Sequence, residues 1–161
     1  MKIKVLITGG TIDKMYNTAT GELTFTQTHI VEMLNRSRSM LETLSEVLFL
    51  KDSLEMTEND RALILSKCLA SKETAILITH GTDTIVETAK LLGENIQNKT
   101  IVLFGAMVPY SVNQSDALFN LGFALSSVQS QPPGIYVAMN GKVFDFDQVQ
   151  KNTALGIFES L

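Results

Sequence analysis

The stretch ILITHGTDTIVETAKLL, residues 76–92, changes its periodicity in the middle. Ile76 to Ile78 is an apolar run, Thr79-His80-Gly81-Thr82-Asp83 is small and polar, and Ile85, Ala89 and Leu92 then recur at helical spacing. A short apolar strand meeting an amphipathic helix through a polar junction is one βα unit of a parallel sheet. The unit recurs along the chain. Apolar runs at Ile3 to Ile7, Val47 to Leu50, Ala75 to Thr79, Ile101 to Gly105 and Ile135 to Met139 read as five strands.

The segments between them read as helices. Thr28 heads one through about Arg38, with Ile30, Val31, Met33 and Leu34 on its apolar face. Thr57 opens a second with Ala62, Leu65 and Leu69 on one side, and Leu118, Leu121, Leu125 and Val128 mark the last. A short extended piece is expected at Leu23 to Thr26, and QSQPPG is a turn. From Gly141 to Leu161 the pattern predicts a short strand at Val143-Phe144, then loop or helix. The fold class is therefore α/β: three layers, a mostly parallel twisted sheet with helices on both faces, in one domain over residues 1–161.

Composition narrows the function classes. The 161 residues are 45% hydrophobic and 19% charged, a globular balance. A net charge of -4 gives no electrostatic reason to expect nucleic acid or an anionic membrane as partner. Lone Cys68 has no partner for a disulfide or a cysteine metal site. The start MKIKVLITGG is too short for a signal h-region, and no segment approaches the roughly 20 apolar residues of a membrane span. The expectation is a soluble, cytoplasmic protein.

Open parallel sheets bind ligands beyond the carboxyl ends of their strands. Those ends are Thr8-Gly9-Gly10-Thr11, Asp52-Ser53, His80-Gly81-Thr82-Asp83 and Gly105-Ala106-Met107. TGGTID has the spacing of neither a dinucleotide fingerprint nor a P-loop. His29 and His80 lack partners at metal-ligand spacing, and no G-x-S-x-G elbow is present. No metal or cofactor is expected. Threonine remains, and a threonine hydroxyl needs a base to become a nucleophile. Thr11 and Thr82 each follow a glycine at a strand end, and Asp83 is an adjacent carboxylate. Spacing does not rank Lys14, Lys99 and Lys151 as the amine.

Structural roles compete for the same residues. Thr84 and Glu87 spell a T-x-x-E capping box, with Thr57 and Asp60 a second cap-like pair. The glycines suit tight turns, and His80 suits a packed strand end. Cys68 and the methionines Met33, Met40, Met107 and Met139 suit core packing.

ITGGTID, DSLEMT, ITHGTDTIVETAKLL, VLFGAMVP and SDALFNL occur in this order, and with the tail VAMNGKVFDFDQVQKNTAL they resemble the N-terminal domain of bacterial-type L-asparaginases. The resemblance runs from about Lys2 to the end of the chain. It implies hydrolysis of a side-chain amide, L-asparagine first and glutamine or a related amide behind it. Thr11 is then the acylated nucleophile with Tyr16 as neighbour, and Thr82, Asp83 and Lys151 form a second triad. Gly10, Ser53, Glu55, Gly81 and Ala106 would line the substrate, Ser53 at its α-carboxylate and Ala106 beside the leaving amide.

Departures from the family pattern are Leu54, where some members are polar, and Val108, where arginine is common. Members of the family also carry a second, smaller domain that reaches a neighbouring subunit's site. The expected partners are a small amino-acid amide and further copies of the chain, as a homodimer or larger. Two alternatives stand beside this one: a weakly catalytic module binding aspartate or another small amino acid, and one domain of a longer protein.

Overall fold

A computed structural model describes residues 1–161. The central sheet has six strands: β1 (Lys2–Gly9), β4 (Glu42–Lys51), β5 (Ala75–Thr79), β6 (Thr100–Phe104), β7 (Gly134–Met139) and β8 (Lys142–Asp145). Their spatial order is β4-β1-β5-β6-β7-β8, parallel throughout except that β8 returns antiparallel to β7. Two hairpins lie outside this sheet: β2 (Lys14–Asn17) with β3 (Glu22–Phe25), and β9 (Val149–Asn152) with β10 (Ile157–Ser160). The helices are α1 (Ile30–Arg36), α2 (Glu58–Ala70), α3 (Ile85–Asn95) and α4 (Ala117–Ser130).

The strands at the centre are apolar on both faces because both faces are covered. Ile3, Val5, Ile7, Leu77, Val102 and Phe104 face α1 and α4, whose Met33, Leu121, Ala124 and Val128 close that layer. Leu6, Ile76, Ile78, Leu103 and Val137 face α2 and α3, against Ile64, Cys68, Ile85, Ala89 and Leu92. Each such buried aliphatic side chain contributes on the order of 1.5–3 kcal/mol. The three-layer expectation holds.

The order also places the site. Strand order reverses between β1 and β5: β1 is followed outward by β4 on one side, whereas β5, β6 and β7 run the other way. Such a switch point opens a crevice at the carboxyl ends of the two strands. Thr11 leaves one strand and Thr82 the other.

Several expectations are corrected. α2 buries Arg61, Ile64 and Cys68, one residue before the Ala62, Leu65 and Leu69 face, and Leu69 is exposed. Thr57 and Asp60 do form the capping box that starts this helix. α1 begins at Ile30 and ends at Arg36, and Val31 on it points to solvent. Thr84 is the N-cap of α3 but its side chain does not cap; the hydroxyl donates to the Ser53 carbonyl, and Glu87 pairs with Arg61 instead. Met40 is 97% exposed, so it fills no core. The polar tail forms the β9–β10 hairpin, not a helix.

Candidate active site

Two glycines bring the threonine-bearing loops together. Gly10 sits at φ 79°, and a Cβ there would lie 2.5 Å from the Gly81 nitrogen and 2.6 Å from its Cα. Only glycine permits both that angle and that approach. A Cβ on Gly81 would in turn meet Ser53 Cβ and Oγ at 2.6 Å. The backbones after β1, β4 and β5 are thus in direct contact, and Thr11, Ser53 and Thr82 are gathered around it. The strands below are clasped by Thr8, whose amide donates to Thr79 Oγ1 at 3.1 Å and whose hydroxyl donates to the Thr79 carbonyl at 2.6 Å.

At the β5 end the polar groups are wired to one another. Lys151, carried on β9, donates to Thr82 Oγ1 at 2.8 Å and to Asp83 Oδ1 at 2.5 Å. Its side chain is largely shielded from solvent, and Thr82 is buried. Of three candidate lysines, this is the one at the threonine: Lys99 donates to the Ser71 and Glu73 carbonyls, and Lys14 pairs with Asp52. The β9–β10 hairpin that delivers Lys151 is seated by buried Val149 and Phe158, and by the Phe158 amide donating to Asn140 Oδ1 at 2.9 Å.

His80 fixes the turn behind Thr82. Its Nδ1–H donates to the Gly81 carbonyl at 2.7 Å, which leaves Nε2 to accept from the Thr88 hydroxyl at 2.7 Å. Full burial holds its pKa down at about 4, and the nearby Arg61 guanidinium pushes the same way. The imidazole is therefore neutral and structural, as its strand-end position implied.

The β1 end is held differently. Thr11 begins a 3₁₀ turn, Thr11–Asp13, and its hydroxyl has no hydrogen-bond partner in the protein. Asp13 is fully buried; one oxygen accepts from the His29 amide at 2.8 Å and the Thr28 hydroxyl at 3.1 Å, and the other has no partner. Burial raises its pKa. The β2–β3 hairpin follows. Tyr16 stands on it 60% exposed, makes no hydrogen bond with Thr11, and has its hydroxyl near Gly21 at the turn.

The remaining predicted residues frame the cleft unevenly. Ser53 is buried, its Oγ accepting from the Thr84 amide at 3.3 Å. Glu55 is exposed and lies with Lys14, Leu23, Phe25 and Asp52 around a cavity of about 520 Å³ under the hairpin. Neighbouring Leu54 is 73% exposed. Ala106 is buried in a loop organised by Asp116, whose carboxylate accepts from the Met107 and Val108 amides. Sequence reasoning gave Asp116 no role and did not pair Lys14 with Asp52. Asp116 lies in SDALFNL, where an acid just before a helix was the available signal.

Comparison with known proteins bears on the family and the fold. The family model for the asparaginase N-terminal domain matches residues 2–160. The chain is 34% identical over 169 residues to the L-asparaginase of Thermococcus kodakarensis, covering 100% of this chain and 51% of that protein. The solved structure of that thermostable enzyme superposes with a TM-score of 0.88 at 31% identity, over 100% of this chain and 51% of its own. L-asparaginase I of Vibrio cholerae gives a TM-score of 0.86 at 25% identity, over 99% and 51%. A glutaminase-asparaginase from Pseudomonas fluorescens is 30% identical over 164 residues, 92% of this chain and 45% of that one. The chain spans about half the length of the curated L-asparaginases it matches. With the fold, the paired threonine loops and the family model in agreement, the chain belongs to the asparaginase family, matching its N-terminal domain.

Proposed function

We propose that the chain hydrolyses the side-chain amide of a small amino acid, L-asparagine before glutamine, through a threonine nucleophile. The observation that carries this reading is Lys151 bridging Thr82 Oγ1 and Asp83 Oδ1, in a loop whose Gly81 packs on the Gly10 that precedes Thr11.

The chemistry follows from the groups present. The Thr11 hydroxyl, free of protein partners, attacks the amide carbon as its proton leaves toward a base. Backbone N–H groups beside Thr11 and Thr82 take up the developing oxyanion; one such donor is worth roughly 3–4 kcal/mol of barrier. The C–N bond breaks, the nitrogen gains a proton and ammonia departs, leaving an ester on Thr11. Water then attacks this ester, yielding a proton on the Thr82 side; the acyl C–O bond to Thr11 breaks, the Thr11 oxygen regains a proton, and the amino-acid carboxylate leaves. At Thr82 the Lys151 amine, held by the Asp83 carboxylate, helps the threonine hydroxyl take the proton from the attacking group or water. Asp83 also meets the substrate's α-ammonium, Ser53 its α-carboxylate, and Ala106 lies beside the leaving amide.

Homodimers or larger assemblies and a cytoplasmic setting belong to the same proposal. Ammonia release is the test, with asparagine, glutamine and D-asparagine as substrates for wild type, Thr11→Ala and Thr82→Ala. Loss of asparagine turnover in both variants is expected. Equal rates in all three proteins would sink the proposal, and tight aspartate binding by calorimetry without turnover would favour a binding module.

A further inference from the structure

The β2–β3 hairpin pairs only with itself, and two strands alone are marginally stable in water. What ties it to the body is therefore decisive for where it stands. Its stem is anchored by buried Asp13, and the Ser111 hydroxyl donates to the Lys14 carbonyl at 2.8 Å. The side-chain tie to the Ser53 turn is an ion pair, Lys14 Nζ to Asp52 Oδ2 at 2.5 Å.

Asp52 divides its oxygens between two elements. Oδ2 receives Lys14, and Oδ1 accepts the Leu54 amide at 3.0 Å, capping the 3₁₀ turn Ser53–Glu55. That turn is bound in its own right to the Thr82 loop, since the Thr84 amide and hydroxyl both donate to Ser53. One carboxylate thus links the hairpin after Thr11 to the loop of Thr82. The pair is also sheltered, with 19% of the Lys14 and 29% of the Asp52 side chain exposed. Lys14 is the main cause of a depressed Asp52 pKa, burial opposes it, and Lys151 adds a smaller pull of the same sign. Exposed ion pairs contribute little to stability, but this one is shielded and joins two separate elements.

We propose that the Lys14–Asp52 ion pair is a positioning latch: it holds the β2–β3 hairpin against the Ser53 turn and thereby sets the width of the substrate cleft. The latch rests on the amide-hydrolase reading for its kinetic consequence, but not for its mechanical one. It governs capture of substrate more than chemistry, because Thr82, Asp83 and Lys151 are held independently of the hairpin.

The test measures ammonia-release kinetics and backbone hydrogen exchange over residues 14–25 in wild type, Lys14→Met, Lys14→Arg and Asp52→Asn. Asparagine serves as substrate. Lys14→Met and Asp52→Asn should raise KM about tenfold while kcat changes far less, since a misplaced binding element costs on that order. Hairpin amides should exchange faster in both variants with the central strands unaltered, and Lys14→Arg should restore both readouts. Unchanged KM and unchanged hairpin exchange in Lys14→Met would overturn the latch, as would faster exchange spread through the central sheet. If the wild type releases no ammonia, the amide-hydrolase reading fails by itself and hairpin exchange alone decides the latch.

Discussion

The two strand ends that meet at Gly10 and Gly81 carry the same residue, a threonine, and treat it in opposite ways. Thr82 is wired to a lysine and, through it, to a carboxylate, with a neutral histidine locking the turn behind. Thr11 has no such wiring and opens into a hairpin held mainly at its stem. The contrast teaches a division of labour. In the proposed hydrolysis, the wired end would move protons, and the other would be free for its oxygen to bond to a substrate.

Breaking the wired end should have the largest effect. Lys151→Met leaves Thr82 without its amine, and ammonia release should fall about 10³-fold, a typical contribution of a positioned acid–base group. Stopped ammonia assays at saturating asparagine check this, with thermal melts to establish that the fold survives. The contact between the ends comes next. Gly10→Ala places a Cβ against the Gly81 backbone at a positive φ, and denaturant unfolding should show a loss of about 3 kcal/mol.

Acid sharpens the comparison, because the two ends titrate with opposite sign. His80 has a folded pKa near 4 against an ordinary 6.5, so the unfolded chain binds the extra proton first. Its contribution is complete above 6.5 and is lost as pH falls toward 4, by up to about 3 kcal/mol. Asp13 is raised by burial, so its contribution is complete at low pH and is lost as pH rises through that raised value. Stability measured against pH should therefore flatten in His80→Gln and steepen in Asp13→Asn. Matching slopes in the two variants would erase the distinction. The smallest effect is expected away from both ends: Thr57→Ala should cost about 1 kcal/mol in urea titrations through loss of the α2 cap, with little change in KM.

Legibility in the sequence followed burial. β1, β5, β6 and β7 were readable because both of their faces are covered and their runs are predominantly apolar. β4 is an edge strand with only a partly buried pattern, so Val47 to Leu50 marked barely its second half. The β9–β10 hairpin was not legible as strands: VQKN and IFES show little alternation, and what seats them is Phe158, Val149 and a bond to Asn140 from 18 residues away. Thr84 and Glu87 spelled a cap that tertiary partners, Ser53 and Arg61, had already claimed. At the site, glycine and threonine placement located the crevice, and family resemblance singled out Lys151. Spacing alone did not, since 69 residues separate Lys151 from Thr82. The Lys14–Asp52 pair joins residues 38 apart and left no local signal at all.

The amine reaches Thr82 from a hairpin that follows the whole parallel sheet in chain order, and that has a consequence for synthesis. All five parallel strands, both threonines and Asp83 are present before Lys151 leaves the ribosome. A nascent chain can therefore assemble its sheet and its crevice before Thr82 has its lysine partner. The seating of one small hairpin then works like a final key, completing the Lys151–Thr82–Asp83 contact on a scaffold already assembled.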